Sequence, residues 1–165
     1  MSDAYVECLV KAKTSMTAKL LKILLIAVTV VCILGMLIGI TLAIIPAILA
    51  GAGAYFVNFF TDLEYEYLYI DKELVVDKVM AKSRRKRVAT YSLDKVEILA
   101  PVKSYHLDNY RNRTAKVKDY SVGEELKPDL RYVMFYEGGE KIFLNPSPEM
   151  VKLMKNVAPR KIFSD

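Results

Sequence analysis

The sequence has no Asp, Glu, Lys, Arg or His between Ile23 and Thr61, a charge-free run of 39 positions. In 165 residues it has one histidine, two cysteines and no tryptophan. A lone histidine, His106, cannot build a histidine metal cluster, and beside Asp108 it reads as structural rather than as a catalytic base. No serine stands in a nucleophile elbow, and no glycine loop suits a phosphate; Gly138-Gly139 is a hairpin turn. Cys8 and Cys32 both fall before or inside the apolar run, so the rest of the chain has neither a disulfide framework nor a cysteine metal site. These shortages predict a non-enzymatic protein with no cofactor and no metal.

What is present is the apolar run itself. A span needs about 20 apolar residues, and this run is nearly twice that. As one helix it would reach about 58 Å, against a hydrocarbon core of about 30 Å. Folding it in half gives two spans, over about 20–38 and 42–60, with a turn near Gly39-Ile40-Thr41. Gly35 and Gly39 suit the end of the first helix, and Pro46 falls early in the second. Gly35, Gly39, Gly51 and Gly53 allow close helix approach, within the hairpin or to another protein.

Charge sets the expected orientation. Lys11, Lys13, Lys19 and Lys22 precede the run, and Lys72, Lys78, Lys82 and Arg84-Arg85-Lys86-Arg87 follow it. The turn carries none. The positive-inside bias therefore predicts a two-pass cell-membrane protein with both termini cytoplasmic. Tyr55, Phe56, Phe59 and Phe60 lie where an interfacial aromatic belt belongs, and Asn58 beside them suits a wet interface. A secretory signal is the competing reading, but signal cores run about 7–15 residues.

Around the hairpin (19–61) stand an N-terminal segment, 1–18, and a cytoplasmic domain, 62–165. The segment reads equally as an amphipathic helix capped by Ser2 or Asp3 and as an extended lead-in. Past Thr61 the period changes to two. Leu63 to Ile70 alternates as a strand, Asp71-Lys72-Glu73 turns, and Leu74 to Met80 returns. Lys82 to Arg87 reads as a basic turn. Short strands follow over Val88–Tyr91, Lys95–Ala100 and Lys116–Val122, with a loop and one helical turn over Lys103–Arg113. Gly123–Asp129 is a turn. Leu130–Tyr136 and Lys141–Leu144 form a hairpin around Glu137-Gly138-Gly139-Glu140. A helix over 147–158 closes the chain, with Ser147 as N-cap, Pro148 at its first position, and Met150, Val151, Met154 and Val157 on one face. The expected fold class is an α+β membrane protein: a two-helix transmembrane hairpin, then an antiparallel β-sandwich or open barrel of six or seven strands with a C-terminal helix.

That order of short strands and one final helix resembles the pleckstrin-homology-like fold. The segments YVECLVKAK, KSRRKRVATYSLDKVEILAPVKSYHLD and NPSPEMVKLMKNVAPRKIF are similar to a family of uncharacterised small two-span membrane proteins of Gram-positive bacteria with such a cytoplasmic domain. The resemblance implies architecture and brings no catalytic residues.

Within the part after Thr61, 20 Lys and Arg face 17 Asp and Glu, so charge is local rather than global. Lys82, Arg84, Arg85, Lys86 and Arg87 are the candidate anionic-surface contact. The bland reading is a solvated turn. The functional reading is contact with anionic lipid headgroups or a membrane protein partner, at about 1 kcal/mol per cation near an anionic leaflet. A basic run without regular aromatic stacking does not predict nucleic acid. The expected function is a membrane-anchored binding module at the inner membrane face; the alternative is a small structural subunit of a larger membrane assembly. Glu64 and Glu66, on one strand face, read as a solvated edge.

Overall fold

The computed structural model describes residues 5–123 and 130–164. Ser2, Asp3 and the Gly123–Asp129 turn beyond Gly123 lie outside the described residues. The described chain forms two bodies, one of Thr14–Leu63 with Met80–Arg84, the other of the residues up to Lys13, Glu64–Val79 and those from Arg85 onward.

The first body is the membrane hairpin. Helix α1 covers Met16–Leu37 and α2 covers Ile44–Thr61, joined through a 3-10 turn at Thr41–Ala43. At about 1.5 Å per residue they reach about 33 and 27 Å, matched to the hydrocarbon core. Both are long and apolar enough to cross a membrane. α1 ends in a Schellman motif: Ile40 N–H donates to Gly35 O (3.0 Å) and Gly39 N–H to Met36 O (3.1 Å), with Gly39 at φ +97°. A Cβ on Gly53 would stand 3.4 Å from Leu25 Cδ1, and one on Gly51 3.8 Å from Thr29 Cγ2. The glycines of α2 thus serve the packing of one span on the other. At the charged end, Lys22 Nζ donates to Asn58 Oδ1 (2.7 Å) and Thr14 Oγ1 donates to Thr61 O (2.9 Å). Asn58 therefore ties the two helices, beyond the wet interface expected of it.

The second body holds two four-stranded sheets. The first is ordered β1 (Val6–Lys11), β2 (Leu63–Ile70), β3 (Glu73–Met80), β4 (Arg84–Ser92). The second is ordered β5 (Val96–Pro101), β7 (Tyr132–Tyr136), β8 (Glu140–Leu144), β6 (Lys116–Asp119). β6 pairs with β8 in parallel, whereas β5–β7 and β7–β8 are antiparallel. Tyr67, Tyr69, Leu74, Val76 and Tyr91 of the first sheet share one core with Leu99, Met134, Ile142 and Leu144 of the second. Helix α3 (Pro148–Val157) adds Met150, Val151 and Met154 to it. Ser147 Oγ accepts from Met150 N–H (3.2 Å), completing the expected N-cap. This is the expected α+β arrangement of short strands closed by one final helix.

Three expectations are corrected. Residues 6–11 are a paired strand, neither a helix nor a free lead-in: β1 pairs with β2 from Val6↔Tyr69 to Lys11↔Glu64, and Val6 and Val10 enter the core. The folded body takes in residues from both sides of the hairpin. The basic run is not a turn. The turn is Ala81-Lys82, at φ 48° and 55°, closed by Ser83 N–H to Met80 O (3.2 Å), and β4 begins at Arg84. Finally, Val157 is 45% exposed, so the buried face of α3 ends at Met154.

Candidate anionic-surface site

Five cations in six positions repel one another, and the fold answers by dividing them. β4 is an edge strand of its sheet, and Arg84 to Val88 are all exposed. A charged edge is how sheets discourage unwanted strand pairing. Arg85 turns back to Glu66, Nη2 to Oε1 at 3.3 Å. Arg87 turns back to Asp77, Nε to Oδ1 at 3.4 Å. Among the described residues no carboxylate pairs with Lys82, Arg84 or Lys86. Of these, Lys82 and Arg84 belong to the hairpin body.

Arg84 sits where the second span ends. Its guanidinium lies 5.7 Å from the Phe59 ring centroid, within cation–π range. With Tyr55, Phe56, Phe60 and Met80 these two residues line a cavity of about 280 Å³. Tyr55 meets Phe56 and Phe59 edge to face, at 5.9 and 5.4 Å between centroids. The aromatic belt is legible from sequence. Its partner Arg84 is not, because the whole β2–β3 hairpin separates it from α2 along the chain. The fold supplies the link: Ala81 N–H donates to Asp62 O (2.8 Å), fixing the β3–β4 turn to the residue after α2. The cavity is thus apolar and aromatic, with beside it a guanidinium that no carboxylate pairs among the described residues.

Glu66 departs furthest from its expected place. It is 1% exposed, not a solvated edge, and neither carboxyl oxygen receives a hydrogen bond among the described residues. When protonated it can donate to Glu7, and this sharing of a proton raises its pKa above the ordinary carboxylate value; burial adds to the rise, and Arg85 opposes it. The same sharing lowers the Glu7 carboxyl. The pair is diagonal across β1 and β2, where Leu9 faces Glu66 and Glu7 faces Leu68.

His106 packs within the second body. Its ring stacks on Phe163, 3.7 Å between centroids, and its backbone N–H donates to Ser104 Oγ (3.3 Å), a packing role. No group of three or more His, Cys, Asp or Glu side chains that could hold a metal occurs among the described residues. No curated protein and no solved structure matches the chain. A family model described as "Bacterial PH-like domain (DUF6106)" matches residues 2–164, nearly the whole sequence, and the chain belongs to that family.

Proposed function

We propose that the protein is a non-enzymatic, membrane-anchored PH-like binding module that holds anionic lipid headgroups at the inner membrane face through its basic turn and the start of β4. The observation that carries this reading is Arg84, without a carboxylate partner among the described residues, over Phe59 in the aromatic cavity at the end of α2. Lys82 of the same body adds to it; Arg85 and Arg87, in the other body, are already paired to Glu66 and Asp77. Both termini are cytoplasmic in this reading. Support comes from the lysine and arginine distribution and from the β1–β2 pair, which sets Lys11 opposite Glu64 on either side of the hairpin. A structural-subunit role gains no comparable support, since Gly51 and Gly53 already face α1.

The test reconstitutes the full chain in vesicles of phosphatidylcholine with a minor fraction of phosphatidylglycerol. Spin-labelled lipids report which headgroup is immobilised at the protein. The anionic label should be preferred at low salt. Arg84→Gln and Lys82→Gln should each lower that preference, by up to about fivefold at about 1 kcal/mol per cation. Equal immobilisation of the two labels at low salt would sink the lipid reading.

A further inference from the structure

We infer that the outer face of the second sheet carries a binding site for a small organic anion with a flat apolar body. Antiparallel strands such as β5, β7 and β8, with their core on one side, normally present polar residues on the other. Here the other side is apolar: Ile98, Ala100, Val133 and Phe135 are buried there, with Phe143 packed beside them. The 3-10 segment Tyr105–Tyr110 covers part of this face, through Leu107 and through Tyr110, whose ring lies 5.0 Å from that of Phe135. The cover is incomplete. A cavity of about 230 Å³ remains, walled by Val102, Leu107, Val133, Phe135 and Phe143. Its lining is completed by two cations, Arg111 and Lys141.

The lining specifies the ligand. Two phenylalanine rings and three aliphatic side chains desolvate an apolar body, and the rings favour a flat one. The volume lies below the roughly 300–1,000 Å³ of drug-sized sites, so the body is about one ring. The charge must be negative. Lys141 Nζ stands 5.3 Å from the Phe143 centroid and 5.7 Å from that of Phe135, and no carboxylate pairs with it among the described residues. Arg111 is paired to Asp108 of its own segment at 3.1 Å, with both side chains largely exposed. Arg131 stacks on Phe143 at 3.9 Å, adding a third positive group near the wall while Asp119 holds it at 2.9 Å. The covering segment is braced by the His106–Phe163 stack.

The probe is 4-(trifluoromethyl)benzoate, read by fluorine NMR on the full chain in zwitterionic-lipid nanodiscs, with empty nanodiscs as the blank. The neutral twin, 4-(trifluoromethyl)benzamide, reports apolar partition. Saturable benzoate binding at least tenfold tighter than benzamide is expected. Lys141→Gln should weaken benzoate at least fivefold and leave benzamide unchanged. Val102→Trp, at a half-buried wall position, should block both probes in protein that keeps its thermal transition. Arg84→Gln should change neither, which separates this site from the lipid contact. Benzoate binding no greater than in empty nanodiscs, benzamide binding as tightly, or an unaffected Lys141→Gln variant would each overturn the inference.

Discussion

Replacing Glu66 with methionine should stabilise the protein. The side chain is buried to 1% exposure, and neither carboxylate oxygen receives a hydrogen bond among the described residues. A buried polar group left unsatisfied costs about 1–3 kcal/mol. Against this stand the proton that Glu66 can share with Glu7 and one ion pair, whose other member, Arg85, is 68% exposed. Such a pair returns about 0–1 kcal/mol. The unsatisfied oxygens win, and methionine keeps the length of the stem, so Glu66→Met should gain about 1–2 kcal/mol near pH 7.5. For a body of this size that is a Tm rise of roughly 3–10 °C. The pH dependence gives an independent check. Glu66 binds its proton more tightly folded than unfolded, so its favourable contribution is complete below the ordinary 4.5 and is lost as pH rises through the raised value. Glu7 acts oppositely: its contribution is present above 4.5 and is lost as pH falls through its lowered value. From 4.5 upward the wild type should therefore lose stability as Glu66 ionises, while Glu66→Met does not, and the gap between them should be widest at neutral pH. Thermal unfolding of the full chain in detergent, followed by circular dichroism between pH 4.5 and 8, reads both effects. A lower Tm for Glu66→Met at pH 7.5, or a gap that widens toward acid, would refute the reasoning.

Three further outcomes are expected. A fragment of residues 62–165 should fail to show a cooperative thermal transition, whereas one joining residues 1–13 to it by a short flexible linker should show one, because only the second keeps β1 with Val6 and Val10. Ala81→Gly should stabilise the β3–β4 turn by up to about 1 kcal/mol in chemical denaturation, since alanine is held there at φ 48°. In a background without Cys8 and Cys32, a cysteine at Thr41 should be labelled by an impermeant reagent from outside the cell and one at Ser164 should not; the reverse pattern would contradict the proposed topology.

The membrane hairpin is legible because its signal is compositional and long, and Gly39 marks its turn. The Ser147 cap is legible because helix N-termini have a local chemistry. The β1 strand is not, because VECLVK mixes helical and extended spacing, and the partner that decides between them, β2, lies on the far side of both spans. The β3–β4 turn is hidden for a different reason. Positive φ at Ala81 and Lys82 normally calls for glycine or asparagine, and neither is there, so the charge run imitates a turn that lies just before it. The burial of Glu66 has no local signal at all. The Glu-Tyr-Glu-Tyr alternation of 64–67 predicts which residues share a face, but not that Glu66 is buried and paired to Arg85 of another strand.

The β1–β2 pair constrains topology more firmly than charge counting does. Cross-strand neighbours lie about 5 Å apart. The register runs unbroken to Lys11↔Glu64, and those two residues bracket everything that enters the bilayer. A pair so formed cannot have its members on opposite sides of a hydrocarbon core about 30 Å thick, so the membrane segment must leave the folded body and return to the same side. An odd number of spans would break the pair. Two spans with a tight glycine turn satisfy it, and in the proposed topology the lysine and arginine residues flanking both ends set which side that is. In the proposed topology the positive-inside bias carries only the choice of compartment, while the strand register favours an even number of crossings. Mutations that weaken the flanking charge should invert or scramble the hairpin as a unit, and they should leave the β1–β2 pairing intact.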